Sequence, residues 1–321
     1  MQADFETIKK ITAGAVRIRQ TERGIAFDRC TEAELAAWYA RRPVLGDRAR
    51  TGGGVRLDFH TDARSITFSL SGGNKVDVWI DGTLRRQCFF NDLREQGTPD
   101  VTAPLEAAPA ESRVTLWLSA HSGVTLDYLR ADGATYLRPH TYRHRLLFLG
   151  DSITHGWNAA HDSLAYVPRV ARYFDANYIN SAVGGGCFFP ETVDKLDYDP
   201  EAIVVAFGTN DFVHWPTPEA LHENCAAYMD RVRELYPNKP VFAITPLYRV
   251  EQAPHNAGTF DECRATVAAE ATRCGFTVVD GYTLMRPLEE NYAGDGLHPC
   301  ETGFGEIAEN LIPVMQKALG W

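Results

Sequence analysis

The chain has 321 residues, 45% hydrophobic and 23% charged, so it has the material for a core and is not disordered, collagen-like or coiled-coil. Thirty-two Lys and Arg against 42 Asp and Glu give a net charge of −10, which on average repels a phosphate backbone or an anionic membrane, so neither nucleic acid nor membrane is an expected partner. No apolar run reaches the roughly 18 residues of a membrane span, Met1–Ile11 carries no secretory signal, and the seven scattered cysteines form no C-x-x-C pair; a cytoplasmic protein is expected.

The length points to about two domains, and the sequence changes rhythm near its middle. Thr31 and Glu34 make a capping box that predicts one or two helical turns through Thr31–Tyr39. Val55–His60, Ser65–Leu70, Lys75–Ile80 and Arg113–Leu118 alternate apolar and polar residues with period two, with turn residues at Gly72-Gly73-Asn74 and Asp81-Gly82. Short alternating strands in series predict an all-β, jelly-roll-like sandwich over residues 1–140. The polar stretch Arg138–Arg145 is read as the linker.

Beyond it, Leu146–Leu149, Ile203–Phe207, Val241–Ile244 and Phe276–Val279 are continuous apolar runs, as in strands covered on both faces. Helix-length segments lie between and after them. In Pro218–Tyr236, Leu221, Cys225, Tyr228, Val232 and Leu235 recur at spacings of three and four, and Phe260–Arg273 and Thr302–Ala318 behave alike. Strands alternating with helices predict a three-layer α/β/α domain on a parallel sheet over residues 141–321, with ligands bound at the carboxyl edge of the strands.

Chemistry is therefore sought just past each run. The first ends in Gly150-Asp151-Ser152-Ile153-Thr154 and the Ile203 run in Gly208-Thr209-Asn210-Asp211; Asn177–Val183 leads into Gly184-Gly185-Gly186; and Asp295-Gly296-Leu297-His298-Pro299 precedes the last helix. A serine hydroxyl needs a base, a neutral imidazole is the usual one, and the imidazole needs a carboxylate to fix its tautomer. Ser152, His298 and Asp295 are the candidates for those parts, so activity is expected to fall on acidification. The backbone N–H groups of Ser152 and Gly185 and the side-chain amide of Asn210 are candidate oxyanion donors.

In these blocks the C-terminal half resembles the SGNH hydrolases, the GDSL esterase family, with Ser152, Gly185, Asn210 and His298 at the four marker positions. The first block reads Gly-Asp-Ser-Ile in place of Gly-Asp-Ser-Leu. The resemblance implies Ser152 as nucleophile, His298 as base and Asp295 as its orienting acid. A β-sandwich ahead of such a domain is similar to the carbohydrate esterases of family two, which implies removal of O-acetyl groups from sugars or oligosaccharides. Acyl transfer to a small-molecule hydroxyl uses the same residues, and a non-catalytic carbohydrate-binding protein is a further alternative. The sequence is silent on self-association.

No cofactor is expected: Gly184–Gly186 lacks the Lys-Ser/Thr of a phosphate loop, and His155, His161 and His214 lack metal-ligand spacing and read as loop histidines. Trp157 and Trp215 are read either as walls for a sugar ring or as aromatic packing, and Tyr248 and Arg249 either as substrate contacts or as surface loop residues. Asp211 is expected to cap a helix or brace its loop, and Cys187 and Cys300 to be small buried fillers.

Overall fold

A computed structural model of the protein describes residues 1–73, 75–90, 100–105 and 111–321; Asn74, read above as part of a turn, lies outside them. The chain divides into two compact units, one comprising Met1–Cys30, Arg50–Tyr142 and His161–Ser163, the other Thr31–Ala49, Arg143–Ala160 and Leu164–Trp321. A single cut after residue 140 does not describe this division. The segment Thr31–Ala49 belongs to the second unit because its side chains pack there: Trp38 is 98% buried and meets Phe189 edge-on, and Thr31 Oγ1 donates to Asp194 at 2.9 Å. It forms two helices, Glu32–Arg41 and Pro43–Ala49, the first opened by the expected Thr31/Glu34 capping box. Conversely, Asp77 accepts from the Ser163 backbone and hydroxyl, and Lys75 pairs with Asp162 at 3.1 Å, which ties His161–Ser163 to the first unit.

The first unit contains two antiparallel sheets. One has the strand order Thr12–Ala13, Arg56–Thr61, Ser112–Leu118, Lys75–Ile80, Thr83–Phe89; the other runs Arg17–Thr21, Gly24–Asp28, Val124–Asp132, Ser65–Gly72, Asp100–Pro104. Alternating residues of both, including Leu57, Phe59, Val78 and Leu116 from one and Ile66, Phe68 and Leu126 from the other, enter one apolar cluster. That is what period-two patterning requires of half-buried strands. Ser65–Gly72 and Lys75–Ile80 sit in different sheets, and Gly72 and Gly73, both at positive φ, begin the crossing. Asp81 and Gly82, also at positive φ, close a two-residue hairpin with Ile80 opposite Thr83. The expected linker is shorter than its polar composition suggested. Leu137–Pro139 pairs with Phe59–Thr61 and His144 opens the next strand, leaving residues 140–143.

The second unit is built on a five-stranded parallel sheet in the order Ala176–Asn180, His144–Gly150, Ala202–Ala206, Val241–Ile244, Thr277–Val279. Leu146–Leu149 and Ala202–Ala206 are buried throughout, as strands covered on both faces must be. Helix Tyr166–Tyr173 packs with Glu301–Leu319, and Pro218–Leu235 with Phe260–Arg273. This is the expected mixed α/β architecture. The strand order reverses beside His144–Gly150, so the edge beyond that strand is a topological switch point where ligands bind in such sheets.

Candidate active site

Ser152 begins immediately past that strand. Asp151 caps the short helix Ser152–His155, its carboxylate accepting from the Ile153 backbone N–H at 3.0 Å, which fixes the turn that presents Ser152. Ser152 Oγ lies 2.8 Å from His298 Nε2, and His298 Nδ1 lies 2.6 Å from Asp295 Oδ2. The carboxylate at Nδ1 assigns the ring proton to that nitrogen and leaves Nε2 to accept from the serine. Asp295 Oδ1 also accepts from the backbone N–H groups of Leu297 (3.0 Å) and His298 (2.8 Å), so a single turn aims the carboxylate at the ring three residues on. Burial works against the Asp295 charge, but these hydrogen bonds, led by the one from the His298 ring, outweigh it and hold the carboxyl below its ordinary range.

The Gly184–Gly186 loop follows strand Ala176–Asn180. Gly184 N–H donates to His155 Nδ1 at 3.1 Å and Gly186 N–H to the Val183 carbonyl at 2.9 Å. Of the three, only the Gly185 N–H has no acceptor among the described residues, and its φ of +81° is a conformation that glycine adopts without strain. Ser152 N–H, in the first turn of its helix, likewise has no acceptor there. One Asn210 amide hydrogen goes to the Gly186 carbonyl at 3.0 Å, which leaves the second for a ligand. The three donor segments are thus tied together, Asn210 through Gly186 and the Ser152 helix through His155 and Gly184.

His155, read from sequence as an ordinary loop histidine, is a buried helix residue that positions the glycine loop; its place three residues after Ser152 is the signal that could have found it. Asp211 braces the loop as expected, accepting from Phe188 N–H and Trp215 Nε1, both at 2.8 Å. Burial pushes Asp211 up to about 6, and burial together with Asp211 pushes Asp151 up to about 7.

Trp157 is half-buried, with Arg48 stacked 4.8 Å from its ring centre, and a Cβ on Gly184 would stand 3.3 Å from that ring. Trp215 meets Phe189 edge-on and, with Arg41, Arg42, Cys187, Phe189 and His214, lines a pocket of about 250 Å³. The Tyr248 ring packs on Tyr282, and its carbonyl accepts from Tyr292 Oη at 3.1 Å. Arg249 is a buried residue donating to the Thr209 carbonyl, not a surface one, because its guanidinium ties the Asn210 loop to its neighbour. Cys187 is buried, whereas Cys300 is half-exposed because it caps the last helix and its thiol reaches the Glu290 carbonyl. Among the described residues no cluster of three or more His, Cys, Asp or Glu could hold a metal ion, and no helix is long and apolar enough to cross a membrane.

No curated protein matches the chain in sequence. Among solved structures it is similar to a salicylyl-acyltransferase from a tetracycline biosynthetic pathway (21% identity, TM-score 0.80, covering 96% of this chain and 94% of that one). It is also similar to a family two carbohydrate esterase from Clostridium thermocellum in complex with cellohexaose (16%, 0.70, 97% and 99%). A third similar structure is the acetyl xylan esterase Est2A from the rumen bacterium Butyrivibrio proteoclasticus (14%, 0.69, 100% and 99%). At these identities the likeness is one of fold. The match to a family model is more specific: residues 148–304 match the model of the GDSL-like lipase/acylhydrolase family.

Proposed function

We propose that the protein is a metal-independent serine esterase that hydrolyses short acyl esters, with O-acetyl groups on sugars or oligosaccharides as the preferred class. The observation that carries this reading is the relay from Ser152 Oγ through His298 to Asp295, at 2.8 and 2.6 Å. Ser152 attacks the ester carbonyl while His298 Nε2 takes its proton, and Asp295 stabilises the imidazolium that forms. The tetrahedral oxyanion is held by the N–H groups of Ser152 and Gly185 and the Asn210 amide. His298 returns the proton to the leaving alcohol, giving an acyl-enzyme, and water then releases the acid by the same steps in reverse order. The sugar preference draws on the likeness in fold to carbohydrate esterases.

Ser152→Ala, with the fold checked by circular dichroism, is expected to abolish hydrolysis of p-nitrophenyl acetate. Turnover above a thousandth of wild type would overturn the nucleophile. Transfer of the acyl group to another hydroxyl is the second reading, favoured by the 0.80 TM-score to an acyltransferase along nearly all of both chains. It requires only that an alcohol take the place of water at the acyl-enzyme. Product analysis with added alcohols separates the two.

A further inference from the structure

The pocket beside the glycine loop carries a charge that acetyl hydrolysis of a neutral sugar does not use. Arg41 and Arg42 end the helix Glu32–Arg41 and its cap, and both line the pocket, with Phe189 and Trp215 as aromatic walls and Cys187 and His214 between them. Arg41 is neutralised by an ion pair with Glu191 and stacks 4.5 Å from the Phe189 ring centre. Arg42 is different. Among the described residues no carboxylate pairs with it, and its one hydrogen bond is a long one, 3.4 Å, to the Gly185 carbonyl. Arg48 lies close by, donating to the Gly184 carbonyl at 2.8 Å. A Cβ placed on Gly185 would stand 2.8 Å from Arg48 Nη1 and 3.9 Å from Arg42 Nη2, so the two guanidiniums converge on one point beside the candidate oxyanion donor.

Two like charges held this close repel. Burial first, then Arg42, pulls Arg48 below its ordinary value, and burial and Arg42 do the same to His214. The chain carries a net charge of −10, yet among the described residues no carboxylate is placed against Arg42. A guanidinium has five donors in a planar fork suited to a carboxylate, and a nearby anion would relieve the repulsion while stacking on Trp215 or Phe189 would hold an attached ring.

We infer that this pocket binds an anionic group of the ester substrate, a carboxylate engaged by Arg42 with Arg48 beside it. The inference rests on the esterase reading for the ester itself and adds the class of substrate. The carboxylate belongs either to the acyl group, as in a half-ester of a dicarboxylic acid, or to the alcohol, as in an acetylated uronic acid.

The test compares kcat/KM within two matched pairs: p-nitrophenyl hemisuccinate against p-nitrophenyl acetate, and acetylated methyl glucuronoside against acetylated methyl glucoside. The anionic member of one pair is expected to be favoured by roughly tenfold or more, the preference weakening with salt, and the favoured pair identifies the side that carries the charge. Arg42→Gln is expected to cut that ratio about tenfold through KM, and Arg42→Glu to invert it. Neutral members favoured in both pairs, or Arg42→Gln lowering both members alike, would overturn the inference, since the latter marks a residue that only supports the loop. Calorimetric titration of succinate and glucuronate into the wild-type protein reads the pocket independently of turnover. Binding lost in Arg42→Glu supports the inference even if no ester is hydrolysed, an outcome that would sink the esterase reading instead; no binding of either anion, with no anionic preference, sinks the inference alone.

Discussion

Replacing Asp295 by Asn tests the relay at its most informative point. The Asp295 carboxylate accepts four hydrogen bonds, from His298 Nδ1 at 2.6 Å, from the backbone N–H groups of His298 and Leu297, and a long one of 3.4 Å from the Asn158 amide. An asparagine keeps an oxygen for the two backbone donors, so the turn is preserved, but it then presents an amide N–H to Nδ1. The ring can satisfy that donor only by carrying its proton on Nε2, where it faces Ser152 Oγ and cannot accept. The charge is lost as well. Coulomb attraction across the 2.6 Å contact is about 1.6 kcal/mol at the dielectric of water and about 6 kcal/mol at an effective value near 20. The Asp295 side chain is 42% exposed, which places it in the lower half of that range, about 2–4 kcal/mol. The expected loss in kcat is therefore roughly 30- to 1,000-fold, smaller than the ~10⁴-fold known for the corresponding change at a buried triad aspartate. The assay is p-nitrophenyl acetate hydrolysis under saturating substrate, with KM expected to be unchanged because Asp295 does not touch substrate. An Asn variant with intact fold that keeps more than a tenth of the wild-type kcat would refute the orienting role.

Asn210→Ala removes one proposed oxyanion donor and is expected to lower kcat by about 10²–10³-fold, or ~2.7–4 kcal/mol, in the same assay; an unchanged kcat would leave the two backbone donors as the whole of the site. Gly185→Ala forces an L-residue to a φ of +81° and sets its Cβ 2.8 Å from Arg48 Nη1. It is expected to destabilise by about 1–2 kcal/mol in urea titration and to lower kcat more than tenfold; a variant as stable and active as wild type would remove the glycine requirement. Stability is expected to fall as pH rises from about 4 to 7, because Asp151 and Asp211, pushed up to about 7 and about 6 by burial, keep their protons in the folded state while the unfolded chain releases them near 3.8. Asp151→Asn removes that proton uptake, so the drop in unfolding free energy between pH 5 and pH 8, read from urea titrations, is expected to shrink by an amount on the order of 2–4 kcal/mol; an undiminished drop would mean Asp151 is ionised in the fold.

What the sequence revealed depended on whether a residue's environment is made by its own neighbours in the chain. The Leu146–Leu149 and Ile203–Phe207 runs are legible because a strand buried on both faces has no polar positions to interrupt it. The Asp295–His298 relay is legible because three residues and one turn suffice to build it. The strand Val124–Asp132 is not, because its pairing shifts between Leu126 and Tyr128 and the period of two breaks there. Arg17–Thr21 is not either: it sits at a sheet edge with no fully buried residue, so nothing demands an apolar alternation. Arg42 and Arg48 are the extreme case. In sequence they are polar residues ending two short helices, and they become neighbours of Gly184 and Gly185 only because Trp38 and Leu45 bury those helices in the second unit, well over a hundred residues before the loop they reach. The local blocks could therefore announce an ester-cleaving apparatus, while the charge that would choose among esters is set by tertiary packing and could be found only once the helices were placed.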